Sequence, residues 1–217
     1  MNHQALFITL EGGEGVGKST QQVLLQAALL AKGYKVFLTH EPGATELGVS
    51  LKKLILNGES IDAKAELLLY LADRAQHLNT ELNTWLKQKI VIICDRYIDS
   101  SEVYQGLARD LGKNFIRKLH EWLLQDYAWP DMTFVLDLEP TSGLQRALAR
   151  QNLKNLSFDR LEQENLEFHT KVREGFLQQA YAEPKRIKII EASHDAETVT
   201  NAILAHLQPV LDHWQSC

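Results

Sequence analysis

Residues 12–19 read Gly12-Gly13-Glu14-Gly15-Val16-Gly17-Lys18-Ser19, a full match to G-x-x-x-x-G-K-[ST]. Its setting gives the match meaning: an apolar run, Ala5 to Leu10, precedes it, and a segment of helical spacing, Lys18 to Lys32, follows with Thr20 in its first turn. Glycines let such a loop curl so that backbone N–H groups point inward, the helix adds its positive end, and the lysine reaches the outer phosphates of a nucleotide. A nucleoside triphosphate site is expected on Gly12, Gly13, Glu14, Gly15, Val16, Gly17, Lys18, Ser19 and Thr20, with Ser19 placed to ligate magnesium. Glu14 is unexpected in a loop that collects anions. Its carboxylate would repel phosphates, so it should turn toward a neutral hydroxyl such as a second substrate's sugar, or toward a water on the metal.

Outward from this loop, four more short runs rich in β-branched or aromatic residues recur: Lys35 to Thr39, Ile90 to Cys94, Thr133 to Leu138 and Arg186 to Ile190. Segments of helical spacing separate them; in the first, Val23, Leu24, Ala27, Leu30 and Ala31 return every three or four residues. Strand and helix in alternation predict an α/β fold, a five-stranded parallel sheet with helices on both faces. Ligands in such sheets sit beyond the carboxyl ends of the strands, so the residues after Leu10, Thr39, Cys94, Leu138 and Ile190 are where a site is expected.

The 217 residues fit one domain, with no linker, repeat or low-complexity tract; the polar stretch Gln151 to Ser157 reads as a mobile surface segment. Lysine and arginine number 23 against 28 aspartate and glutamate, a net charge of −5, which argues against a protein built to coat nucleic acid or an anionic membrane. The two cysteines, Cys94 and Cys217, are too far apart for a metal knuckle or redox pair. A reducing, cytoplasmic setting is the expectation. The longest apolar run, Leu67 to Ala72, is six residues, whereas a membrane span needs about twenty. The start, Met1-Asn2-His3-Gln4, lacks the basic end of a signal peptide, so neither export nor a membrane partner is expected.

On the acceptor side, the third strand ends at Cys94-Asp95-Arg96-Tyr97. A carboxylate there suits a magnesium shell and a guanidinium suits phosphate, the parts that phosphoryl transfer requires. His40-Glu41-Pro42-Gly43 marks a turn after the second strand, and Lys52 and Lys53 follow on a helix able to aim an amine at the cleft. Tyr70 and Arg74 lie one helical turn apart, a ring and a fork of donors on one face that can grip a flat base, though such a pair also suits core plus surface.

These residues resemble thymidylate kinase of the bacterial kind, a likeness that runs from Ala5 to about Ala192. Beyond the phosphate loop it rests on Glu41-Pro42-Gly43-x-Thr45, on Asp95-Arg96-Tyr97-x-x-Ser100-Ser101-x-x-Tyr104-Gln105-Gly106 and on Asp159-Arg160-Leu161-Glu162-Gln163-Glu164. The resemblance implies a nucleoside monophosphate kinase fold with a lid at about 141–165, ATP with Mg2+, dTMP as acceptor, and a homodimer. It implies that Tyr70 stacks on thymine and Arg74 bonds its carbonyl edge, with Ser100, Ser101, Tyr104 and Gln105 beside them. Glu14 would meet the deoxyribose 3′-hydroxyl, while Lys52 and Arg96, with Glu41 nearby, would hold the acceptor's phosphate. Arg146 and the loop at Ala192-Ser193 would flank adenine; Arg150 and Arg160 would be lid arginines acting with Lys18, Asp95 and Arg96 in transfer. Arg146 and Arg150, four residues apart on one helical face, can swing over the phosphates together.

The chain departs from the family at three places: His40 stands for a usual arginine, Ala44 for a glycine and Lys52 for an arginine. If position 44 needed a positive φ, Ala44 would strain it by about 1 kcal/mol. Two other readings are weighed against this one. A deoxynucleoside kinase would need a base such as Glu41 to take a hydroxyl's proton. A nucleotide-operated switch or motor would hydrolyse slowly and ignore nucleoside monophosphates.

Overall fold

A computed structural model describes residues 4–57, 60–125, 128–154 and 159–216, with side chains undescribed at 152–154. Of the stretch Gln151 to Ser157, residues 155–157 lie outside what is described, as does Cys217. Five strands, β1 (Leu6–Glu11), β2 (Val36–His40), β3 (Val91–Asp95), β4 (Met132–Asp137) and β5 (Ile187–Glu191), form one parallel sheet in the order β2-β3-β1-β4-β5. This is the expected five-stranded architecture. The helices are α1 (Lys18–Ala31), α2 (Glu46–Asn57), α3 (Ala63–His77), α4 (Asn83–Leu86), α5 (Ile98–Ser101), α6 (Lys113–Leu124), α7 (Pro140–Lys154), α8 (Leu166–Ala182) and α9 (Ala196–Ser216). Leu78–Leu82 and Glu102–Ala108 are π-helical and join α3 to α4 and continue α5.

The central strand explains the layering. Successive residues of a strand point to opposite faces, and all of β1 is buried, so it needs an apolar layer on each side. Leu6, Ile8 and Leu10 pack with Leu25 and Leu29 of α1 and with Ile203, Leu207 and Leu211 of α9. Ala5 and Phe7 face the other way, onto Leu78, Leu82, Leu86 and Ile98, and farther along that face Val135 and Ile187 meet Val172 and Phe176 of α8.

Helix α1 forms where the spacing predicts it, but its inner face does not follow those apolar residues. Val23 and Leu30 are 58% and 51% exposed, and the buried positions are Lys18, Gln21, Leu25 and Leu29. A helix apolar nearly all round does not select its own inner face by period; the position of Lys18 at the loop does, because it sets the rotation of everything after it. The Ala44 expectation also resolves. The left-handed residue of that turn is Gly43, at φ 104°, and Ala44 is absent from the positive-φ residues, so no strain arises there.

The topology gathers the loops. β1 lies between β3 and β4, and the chain leaves β3 and β4 on opposite sides of the phosphate loop, the crevice where open parallel sheets bind ligands.

Candidate active site

Three glycines of the phosphate loop have left-handed backbones: Gly12 (φ 133°), Gly15 (φ 68°) and Gly17 (φ 99°). Two are also pressed by neighbours. A Cβ on Gly12 would come within 2.6 Å of the Leu136 carbonyl oxygen, and one on Gly15 within 1.9 Å of that of Gly143 at the start of α7. Lys18 Nζ donates to the carbonyls of Gly12 (3.1 Å) and Gly13 (2.6 Å), which curls the loop around its own ammonium. Burial, then the nearby Arg96, lowers the Lys18 pKa to about 8, so it remains mostly charged at pH 7.

Glu14, expected to turn toward a neutral hydroxyl, meets one on Tyr104 and, beyond that expectation, pairs with a cation. Its Oε1 accepts from Arg96 NH2 at 2.5 Å and from the Tyr104 hydroxyl at 3.0 Å. Burial alone would raise this carboxyl, but Arg96, Lys18 and the tyrosine hydroxyl outweigh burial and hold it down to about 2. Arg96 is held through both terminal nitrogens: besides NH2 on Glu14, NH1 donates to Gly12 O (3.1 Å), Tyr104 Oη (3.2 Å) and Ser100 Oγ (3.4 Å), and its Cζ stands 5.1 Å from the Tyr104 ring centroid.

Arg96 sits at φ 65°, a left-handed conformation that a non-glycine residue adopts only when its surroundings impose it. Glu11, the last residue of β1 and fully buried, supplies the restraint: Oε1 accepts from the backbone N–H of Tyr97 (2.8 Å) and Ser100 (3.4 Å), and Oε2 accepts from Ser100 Oγ (2.5 Å). Burial and the neighbouring Asp99 raise the Glu11 pKa to about 7. Sequence reasoning passed over Glu11; a carboxylate closing an otherwise apolar strand was the available signal.

Two hollows of about 450 Å³ each open above the sheet. The first is lined by residues 14–21 of the loop and helix, by Arg146 and Arg150 of α7, and by Ala192, His194 and Ala196 after β5. Arg146 donates to the carbonyls of Ala192 (2.9 Å) and Ser193 (3.3 Å), which clips α7 to the β5 loop. Arg150 is half exposed and its NH2 donates to Glu162 Oε1 at 2.9 Å. The second hollow takes in His40, Glu41, Lys52, Tyr70, Arg74, Ser100, Ser101, Tyr104 and Gln105. Glu14, Ser19, Asp95 and Arg96 line both, so the hollows meet there, and Ser19 Oγ donates to Asp95 Oδ2 at 2.8 Å at that junction.

The site residues named above therefore gather at these hollows, with three qualifications. Gly12 and Gly13 lie behind the loop, their carbonyls taken by Lys18 and Arg96. Arg160 lines neither hollow; its Nε donates to the Ile55 carbonyl and its NH2 pairs with Glu66, a fully buried carboxylate that also accepts from Gln105 at 2.7 Å. Of the expected lid, α7 carries residues 140–154, 155–158 lie outside the described residues, and 159–165 pack against α2 and α3 through Arg160 and against Arg109, the residue after the Glu102–Ala108 segment, through Glu164.

Glu41 is not available as a base. Oε2 accepts from Arg74 Nε at 2.7 Å and Oε1 lies 2.8 Å from His77 Nδ1. Despite burial, which would raise it, Arg74 and His77 hold its pKa below the ordinary carboxylate value. His77 in turn meets Thr39 Oγ1 at 2.7 Å, and Arg74 NH1 meets His120 Nε2 at 2.7 Å. Neither histidine was expected at the site.

A sequence model of the thymidylate kinase family matches residues 10–203. The thymidylate kinase of a Synechococcus species is 46% identical over 206 residues, covering 95% of this chain and 96% of its own. That of Clavibacter michiganensis is 42% identical over 207 residues, covering 95% and 96%. The crystal structure of thymidylate kinase from Ehrlichia chaffeensis superposes with a TM-score of 0.75 at 32% identity, over 94% of this chain and 98% of that one.

Proposed function

The chain belongs to the thymidylate kinase family, and from that premise we propose how its own residues carry the γ-phosphoryl of ATP to dTMP. It is a nucleoside monophosphate kinase; the roles that follow are our reading, carried by one observation, that two hollows meet at Arg96 and the phosphate loop.

ATP lies in the first hollow, its phosphates over the N–H groups of residues 13–19 and over Lys18, its adenine between Arg146 and the Ala192–Ser193 turn. In the second lies dTMP, with its ring against Tyr70, its carbonyl edge toward Arg74, Ser101 and Gln105, and its phosphate toward Lys52 and Arg96. Glu14 stands beside the acceptor's sugar in this reading, its charge cancelled toward phosphate by its pair with Arg96. An oxygen of the dTMP phosphate bonds to the γ-phosphorus, the bond to the β,γ-bridging oxygen breaks, and ADP leaves with that electron pair. Because a phosphate monoester has a second pKa of about 6, the acceptor is already anionic at pH 7 and needs no base. That agrees with a Glu41 carboxylate occupied by Arg74 and His77, and it weighs against a hydroxyl acceptor.

The hard oxygen donors Ser19 and Asp95, side by side at the junction, fit magnesium, which takes few protein ligands beside phosphate and water. When bound, the ion would draw charge from the β- and γ-phosphate oxygens. Arg150, released from Glu162, would close over the phosphates and exclude water. Arg160 would join it only by leaving Glu66, and otherwise orders the base pocket through the Glu66–Gln105 contact.

We read the chain as one kinase domain that works as a cytoplasmic homodimer. Exposed Leu54 and Leu68 on α2 and α3 and Trp122 on α6 supply apolar surface for an interface, and sedimentation velocity tests it. The functional reading itself is tested by ADP release from ATP and magnesium, measured with dTMP, with thymidine and with neither. Release dependent on dTMP alone is expected; equal release with thymidine, or release indifferent to both, would overturn it.

A further inference from the structure

We propose that His120 is a positioning residue for base recognition, a neutral hydrogen-bond acceptor that fixes the Arg74 guanidinium at the acceptor hollow. The assignment rests on the reading that this hollow takes the pyrimidine of dTMP.

Arg74 extends from α3 into the protein, with its side chain 2% exposed, yet it lines the hollow. Three groups and one ring fix it. Nε donates to Glu41 Oε2 at 2.7 Å, NH1 donates to Ser101 Oγ at 2.9 Å and meets His120 Nε2 at 2.7 Å, and the Tyr97 ring centroid lies 5.0 Å from Cζ. An arginine only donates, so the contact with His120 requires Nε2 to accept, puts the ring's proton on Nδ1 and leaves the ring neutral. Nδ1 is buried and has no hydrogen-bond partner among the described residues. The ring thus gives up one hydrogen bond and keeps the other on the guanidinium, an arrangement that packing alone does not call for.

The surroundings keep the ring uncharged. Burial first, then the cations Arg74 from α3 and Arg117 from α6 itself, lower its pKa well below the ordinary imidazole value. Glu102, on the π-helical segment packed against α6, lies 3.7 Å from both Lys113 and Arg117. Glu41, from the turn after β2, is taken on the far side of the guanidinium by Arg74 and His77. A protonated ring would have no acceptor to offer NH1 and would set cation against cation.

The consequence is specific to the acceptor. Loosening NH1 frees a long side chain to rotate and misaligns its donors to a carbonyl edge, while the ATP hollow shares no contact with His120. Two variants test this. His120→Leu removes the acceptor at similar volume; His120→Gln offers an amide oxygen and cannot titrate. H120L should raise the KM for dTMP about tenfold, the loss of one hydrogen bond to a charged group, with kcat and the KM for ATP within about twofold, and should narrow the preference for dTMP over dCMP. H120Q should recover most of the dTMP affinity. Equal rises in both KM values, no rise at all, or an H120Q no better than H120L would overturn the assignment. Should H120L fail to fold, His120→Met, which also removes the acceptor at similar volume, takes its place with the same outcomes. Absence of any dTMP turnover by the unchanged protein would overturn the substrate reading, and this assignment with it.

Discussion

Replacing Glu14 by glutamine removes one charge from the junction of the two hollows and leaves Arg96 without its counter-ion. The magnitude follows from the depressed carboxyl. Its pKa is about 2 in the folded chain against an ordinary 4.5, a difference worth about 3 kcal/mol. The cost of removing one partner from a mostly buried pair, about 3–5 kcal/mol, agrees in order, and the side chains of Arg96 and Glu14 are 18% and 14% exposed. Because folding depresses this pKa, the unfolded chain binds more protons in acid. The contribution is therefore complete above pH 4.5 and lost as pH falls toward 2, with more than half gone by about pH 3. Urea unfolding is the suitable assay, since guanidinium salt would screen the pair. At pH 7 Glu14→Gln should be less stable by about 3 kcal/mol, or about 6–12 °C in Tm for a chain of this length. The deficit should shrink with acid. Equal stability at pH 7, or a deficit that persists unchanged in acid, would refute the electrostatic account and point to packing instead.

Lys18→Ala should lower turnover by orders of magnitude with little change in the urea midpoint, since it takes charge from the transferring phosphoryl; near-normal turnover would contradict its role. Gly143→Ala should separate α7 from the phosphate loop, because its Cβ would come within 2.3 Å of the Glu14 carbonyl oxygen. The expected cost is about 1–3 kcal/mol, seen as a raised KM for ATP in a chain whose circular dichroism is unchanged.

The strand–helix alternation and the phosphate loop were legible because each follows from local rules. Glycine spacing, a lysine at the head of a helix and β-branched runs report on backbone shape before any tertiary contact forms. The helix faces were less legible. Val23 and Leu25 are equally apolar, and only the register of α1 on the sheet buries one and exposes the other. Arg74 was named from a one-turn spacing with Tyr70, but its burial among Glu41, Ser101 and His120 draws on three distant segments, and an arginine in sequence reads as surface. His77 and His120 were invisible for the same reason. The ionic partner of Glu14 was not legible because Arg96 lies 82 positions away; taken alone, a carboxylate in an anion-binding loop has no evident counter-ion. Arg160 belongs to a recognisable segment, yet its contact with buried Glu66 is a fact of packing.

Inhibition by a single molecule that joins adenosine to thymidine through a chain of phosphates tests the head-to-head arrangement most directly. If the hollows meet at Glu14, Ser19, Asp95 and Arg96, it should compete with ATP and with dTMP alike, each substrate in excess relieving inhibition fully. Competition with one substrate only would mean that the nucleotides do not face each other across that junction.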